Sequence, residues 1–255
     1  MKKIVNISLW VLLFAGVSLL LGFSLAERKD ARCWKIEVEV EQLSGLYFID
    51  ADAVKAQLLS LGDPILGTLL DSLDISRMHE ALMLMPSVKN AEVFTSNDGR
   101  LNVEVSQRTP LFRILNNDGS SFYVDVDGRR MPLSSEYTAR VPILTGAVNI
   151  PFSVLESNAA REALLEDAIE LFRFIEADPL WSAQTEHIVV TNHNEFEIVP
   201  RVGAHRILLG NTDHLYDKFA RLRSFYDAMV LENNLNKYKR INLKFRNQVV
   251  CERYF

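Results

Sequence analysis

An α+β protein held by a single amino-terminal transmembrane helix is what this sequence predicts, on three observations. Residues 4–26 are one unbroken apolar run. Residues 34–106 alternate strand-like and helix-like periodicities in the order strand, helix, helix, strand, strand. A longer series of short strands follows, interrupted by two amphipathic helical stretches, which predicts helices packed on one face of a sheet. The expected divisions are a cytoplasmic tail (1–3), a membrane anchor (4–26), a linker (27–33), a small mixed domain (34–106) and a mixed β domain (107–255).

The apolar run IVNISLWVLLFAGVSLLLGFSLA has no charged side chain. At ~1.5 Å per residue it reaches ~34 Å, enough for the ~30 Å hydrocarbon layer of a bilayer. Lys2 and Lys3 precede it, whereas Glu27, Arg28, Lys29 and Asp30 behind it cancel. The positive-inside rule then keeps the amino terminus in the cytoplasm and puts the bulk outside, as a single-pass type II protein. A cleaved signal peptide is the alternative: Ser24-Leu25-Ala26 offers small residues at alternate positions, although the run exceeds the usual apolar core of such peptides. Either way the rest of the chain is exported.

With 255 residues, 48% of them apolar, the chain can bury a real core. Its net charge of −5 argues against nucleic acid as a partner, because phosphate neutralisation needs a basic face. Cys33 and Cys251 are too few and too far apart for a disulfide framework and read as structural thiols.

In the small domain, Trp34, Ile36, Val38 and Val40 alternate with charged residues, as in a strand with one wet face. Asp50 or Asp52 caps a helix carrying Val54, Leu58 and Leu61 that stops at Gly62; Asp74 starts a second, with Ile75, Met78, Leu82 and Met85, that ends before Pro86. Asn97-Asp98-Gly99 joins two alternating strands in a hairpin. This order, with LMLMPSVKNAEVF leading into a hairpin that closes on LNVEVSQRTP, resembles the POTRA (polypeptide-transport-associated) domain.

Beyond it, LFRIL, SFYVDV, RRMPL, VPILTG, HIVV, FEIV, HRILLG and INLKFRNQVVC read as strands, and residues 158–177 and 213–232 as helices. The pair Asp125 and Asp127 imitates a calcium loop or an acid pair. Arg129 and Arg130 stand where such a loop needs an oxygen ligand and a glycine, so Asp127-Gly128 reads as a hairpin turn instead. His79-Glu80 lacks the second histidine of a zincin helix, and neither a nucleophile elbow nor a phosphate loop is present. No catalytic residue, cofactor or metal is expected. The alternatives to a scaffold are an exported enzyme with a scattered site or a POTRA-bearing transport component, and the latter lacks the further repeats or barrel strands such components carry.

One span, one POTRA-like domain, Arg108-Thr109-Pro110, an aromatic strand into Asp125-x-Asp127-Gly128, Val141-Pro142-x-x-Thr145-Gly146 and a late strand ending Asn247-Gln248-Val249-Val250 together resemble the bacterial cell-division family FtsQ, called DivIB in Gram-positive bacteria. The resemblance implies a non-enzymatic scaffold of the inner membrane at the division septum, with its bulk in the periplasm. It implies FtsB-like and FtsL-like single-span partners, and further contacts with FtsK and with the synthase FtsW and its transpeptidase. In the family a partner adds a strand to the carboxyl-terminal sheet edge. Carried onto this sequence, that edge is Lys244, Phe245, Arg246, Asn247, Gln248, Val249 and Val250, with Arg221 and Tyr226 as weaker flanking contacts. Lys244 and Arg246 read equally as charges that blunt an exposed edge against aggregation and as contacts to acidic partner side chains.

Overall fold

The computed structural model describes residues 10, 13–17, 31–41, 45, 47–135, 137–231 and 237–254. The apolar run at 4–26 lies outside them except for residues 10 and 13–17, which are helical. Among the described residues, no helix is long and apolar enough to cross a membrane. The chain divides between Gln107 and Arg108 into two compact units.

In the first unit, Asp50 accepts a hydrogen bond from the Ala53 amide (2.7 Å) and caps α1, Ala51–Leu59. Asp74 does the same through Arg77 (2.9 Å) for α2, Ile75–Met83. Strand β1 (Lys35–Glu41) pairs parallel to β3 (Arg100–Gln107), which pairs antiparallel to β2 (Val88–Thr95), giving the order β1-β3-β2. Val54, Leu58, Met78 and Leu82 from the helices meet Val88, Leu101, Val103 and Val105 in one core. Trp34, expected on the core face, is 61% exposed because the ladder begins one residue later. Its Nε1 donates to the Asp98 carbonyl (2.7 Å), and its ring lies against Gly99, where a Cβ would approach to 2.6 Å. The other sheet face is acidic: Glu39, Glu104 and Glu92 stand opposite one another across all three strands.

The second unit is a nine-stranded sheet in the order β12-β11-β10-β9-β8-β7-β4-β5-β6. Its strands are β4 (Pro110–Leu115), β5 (Ser121–Asp125), β6 (Arg130–Met131), β7 (Ile143–Gly146), β8 (Thr185–Val190), β9 (Phe196–Pro200), β10 (Arg206–Gly210), β11 (Tyr238–Asn242) and β12 (Val250–Arg253). The long helices form where helical spacing predicts them, as α3 (Ala159–Glu176) and α5 (Leu215–Leu231). Between α3 and β8, the six-residue α4 (Pro179–Gln184) is an addition, started by the Asp178 cap and Pro179 in the first turn. One apolar cluster joins helices and sheet: Phe172 stacks on Phe112 at 4.2 Å, and Phe219 packs edge-on to Trp181 at 5.3 Å.

The turn after β5 is built around Asp125, which is fully buried. One carboxylate oxygen accepts from the Asp127 and Arg129 amides (2.9 and 2.7 Å), and the other from Arg108 (2.8 Å), itself 5% exposed. Arg173 of α3 donates to the Val126 carbonyl. The acidic motif is therefore the structural hub of a hairpin. Removing one member of so buried a pair costs about 3–5 kcal/mol, because the other charge is left uncompensated.

Candidate functional site

Among the described residues, strand β12 ends the nine-stranded sheet and pairs only with β11. The Leu243 amide donates to Leu208 of β10 (2.9 Å), so Asn242 and Arg240 direct their main-chain groups the other way, at their partners Val250 and Glu252. The Tyr254 amide donates to the Lys237 carbonyl (3.1 Å), in the same phase. Alternation then leaves the N–H and C=O of Cys251 and Arg253 directed away from the sheet. Side chains follow the opposite division. Cys251 lies beside Ile241 and packs on the helix-side core, whereas Val250 and Glu252 face the helix-free side. The edge can accept an added strand through the main chain of Cys251 and Arg253.

The continuous strand expected through residues 241–250 does not form. The ladder stops at Asn242, residues 245–247 turn with Asn247 at a φ of 58°, and pairing resumes at Val250. Lys244, Phe245, Arg246, Asn247 and Gln248 are exposed turn residues, Val249 is half-buried, and of the expected strip only Val250 belongs to the edge strand. Residues 251–253 complete that strand. Four residues of VCER are too short a pattern to separate from the preceding alternation; the signal within reach was Asn247, a residue type that tolerates positive φ.

Neither flanking residue of α5 projects as expected. Tyr226 is 4% exposed, and its hydroxyl lies 2.6 Å from Nε2 of the buried His205. Burial pushes the Tyr226 phenol up and the His205 imidazole down. Arg221 points along the sheet end. Its Nη1 donates to the carbonyls of Phe245 (2.6 Å) and Gln248 (2.5 Å), and its Nη2 to that of Leu243 (3.2 Å). Lys244 is paired with Glu195 on the β8–β9 connection (2.8 Å). Among the described residues Arg246 makes no ion pair, and Lys239 and Arg240 share Glu252 at 3.7 and 3.5 Å.

From Lys237 to Tyr254 the chain has six basic residues and one acidic one, within a protein of net charge −5. The edge is therefore the basic pole of the second unit's carboxyl-terminal region and favours an acidic strand.

A cleft of about 470 Å³ beside the turn is lined by Asn211, Asp213, Lys218, Arg221 and Lys244. The Lys218 ammonium donates to the Asn211 carbonyl (2.9 Å) and Oδ1 (3.0 Å), and burial pushes its pKa down. Its donors hold the start of α5 to the β10–α5 connection. Among the described residues, no group of His, Cys, Asp or Glu side chains is placed to hold a metal ion.

A family model described as FtsQ/DivIB, C-terminal related, matches residues 109–252, more than half of the chain. A model of the POTRA-like domain matches residues 31–106. No match is found among curated individual proteins. The POTRA-like first unit, the mixed sheet with its helices in the second, and the extent of the match identify the chain as a member of the FtsQ/DivIB family of division proteins.

Proposed function

We propose that this protein is a division scaffold anchored in the inner membrane by residues 4–26, which binds an FtsB-type single-span partner by adding that partner's strand to β12. The observation that carries this reading is the outward main chain of Cys251 and Arg253, which no described strand pairs. Backbone pairing supplies affinity in strand addition, and the alternate side chains supply selectivity. The surrounding basic residues favour an acidic partner strand. In this reading the turn Lys244–Val249 flanks the docked strand, with Phe245, 48% exposed, offering it an apolar contact. FtsL-type proteins, FtsK and the FtsW–transpeptidase complex follow as further partners from membership of the family, whose proteins act as scaffolds rather than enzymes.

Proline scanning of the edge tests this reading. Proline is tolerated on an edge strand where its missing N–H would have faced solvent. Cys251→Pro is expected to abolish co-purification of the full chain with a co-expressed FtsB-type protein while the β11–β12 ladder survives. Binding that persists in Cys251→Pro and Arg253→Pro removes β12 as the docking edge.

A further inference from the structure

We infer that α5 sets the position of the docking edge, with Arg221 and Tyr226 acting as positioning residues at its two ends and neither touching the partner. This inference rests on the strand-addition reading above. At the start of β12, the Arg221 fork gathers the carbonyls of Leu243, Phe245 and Gln248 onto one guanidinium. Those carbonyls belong to a seven-residue connection, 243–249, that has no ladder partner except through the Leu243 amide. A planar cation with several fixed donors can hold three acceptors in one geometry, which a lysine on the same stem cannot. Asn242 adds to the fold of the turn by accepting from the Lys244 amide (3.0 Å), and Lys244 is drawn back to Glu195.

At the far end, the Tyr254 hydroxyl donates to the Ala204 carbonyl (2.9 Å). Ala204 precedes His205, whose ring is 1% exposed and bound to the Tyr226 hydroxyl. The loop is wrapped closely on that ring: a Cβ at Gly203, which has a φ of 102°, would lie 2.7 Å from it. Tyr226 in turn stands edge-on to Trp181 of α4 at 5.6 Å. Both ends of a four-residue strand are thus referred to one rigid helix. Such a short strand has little ladder of its own to hold it, and a strand that frays loses the regular outward N–H and C=O spacing that pairing requires.

Cys251, half-buried on β12, is a built-in reporter of this edge; the fully buried Cys33 controls for unfolding of the first unit, and the cooperative urea transition of the second unit controls for its own. In the full-length protein, Arg221→Met is expected to raise the rate at which a thiol reagent labels Cys251 by roughly tenfold, with Cys33 labelling unchanged and binding of the FtsB-type protein weakened by a similar factor. Tyr226→Phe, which keeps the ring in the core, shifts both readouts in the same direction by a smaller factor. Where Arg221→Met exposes Cys33 or abolishes the cooperative urea transition of the second unit, whose core is separate from that around Cys33, the fold itself is lost and Tyr226→Phe decides. Unchanged Cys251 labelling in the deciding variant overturns the inference; if binding is lost at the same time, that side chain touches the partner directly. Faster Cys251 labelling with undiminished binding leaves the positioning role standing and removes β12 as the docking edge.

Discussion

His205 is the residue on which acid acts in the second unit. Its ring is buried, its Nε2 is committed to Tyr226, and its Nδ1 has no hydrogen-bond partner among the described residues. Burial alone lowers its pKa from the usual 6.5. Between that lowered value and 6.5 the unfolded chain binds a proton that the folded ring refuses. The increment of stability is therefore present in full above pH 6.5 and is lost as the pH falls through the folded pKa. Urea midpoints measured from about pH 7.5 down to about pH 5 are expected to fall, with His205→Gln flatter over the same interval. Nothing in the sequence distinguishes this histidine from the others, because its burial involves Tyr226 of α5 and the loop at Gly203 closing on its ring. Asp125 shows the same limit. Its place in a turn was legible from Asp127-Gly128, but its burial against Arg108 was not, since pairing across 17 residues depends on the register of β4 and β5.

The elements that the sequence made legible are those with enough repeats to show their period. Helices α3 and α5 each present several turns of apolar residues, and β2 and β3 alternate over eight residues on either side of an Asp-Gly turn. The six-residue α4 has too few turns for a helical period to register. The break between β11 and β12 was hidden because the turn residues Lys244 to Arg246 continue the alternation of the strand before them, and Arg221, which folds them into a turn, is distant in sequence. The three-stranded sheet of the first unit carries a liability that the pattern did show, the row Glu39, Glu104, Glu92. Like charges directly opposite one another destabilise a ladder. Glu104→Lys is expected to raise the urea midpoint of the full chain, and the gain should shrink as salt is added. A midpoint unchanged at low ionic strength would show that the row is relaxed by solvent.

For the molecule as a whole, two units with separate cores match a POTRA-like model and an FtsQ/DivIB model in turn. That arrangement was legible because it rests on element order rather than on any one contact. Its proposed purpose depends on where the chain is held. If residues 4–26 anchor it, the full protein remains with the membrane pellet through an alkaline wash, and a variant lacking residues 1–30 is recovered in the soluble fraction. Release of the full chain by the wash would instead favour the signal-peptide reading.

The two-residue period of β12 also bears on how such an interface can change over generations. The residues whose amides face outward, Cys251 and Arg253, turn their side chains toward the helix side, where packing against Ile241 and the Tyr238 ring restrains what can replace them. Val250 and Glu252 spend their amides on β11 and leave their side chains on the open face. If β12 is the docking edge proposed above, substitutions at Val250 and Glu252 retune which partner is preferred while the backbone contacts persist. On that proposal specificity drifts at one pair of positions with affinity conserved at the other, so a scaffold and its partner diverge together without passing through an unbound intermediate.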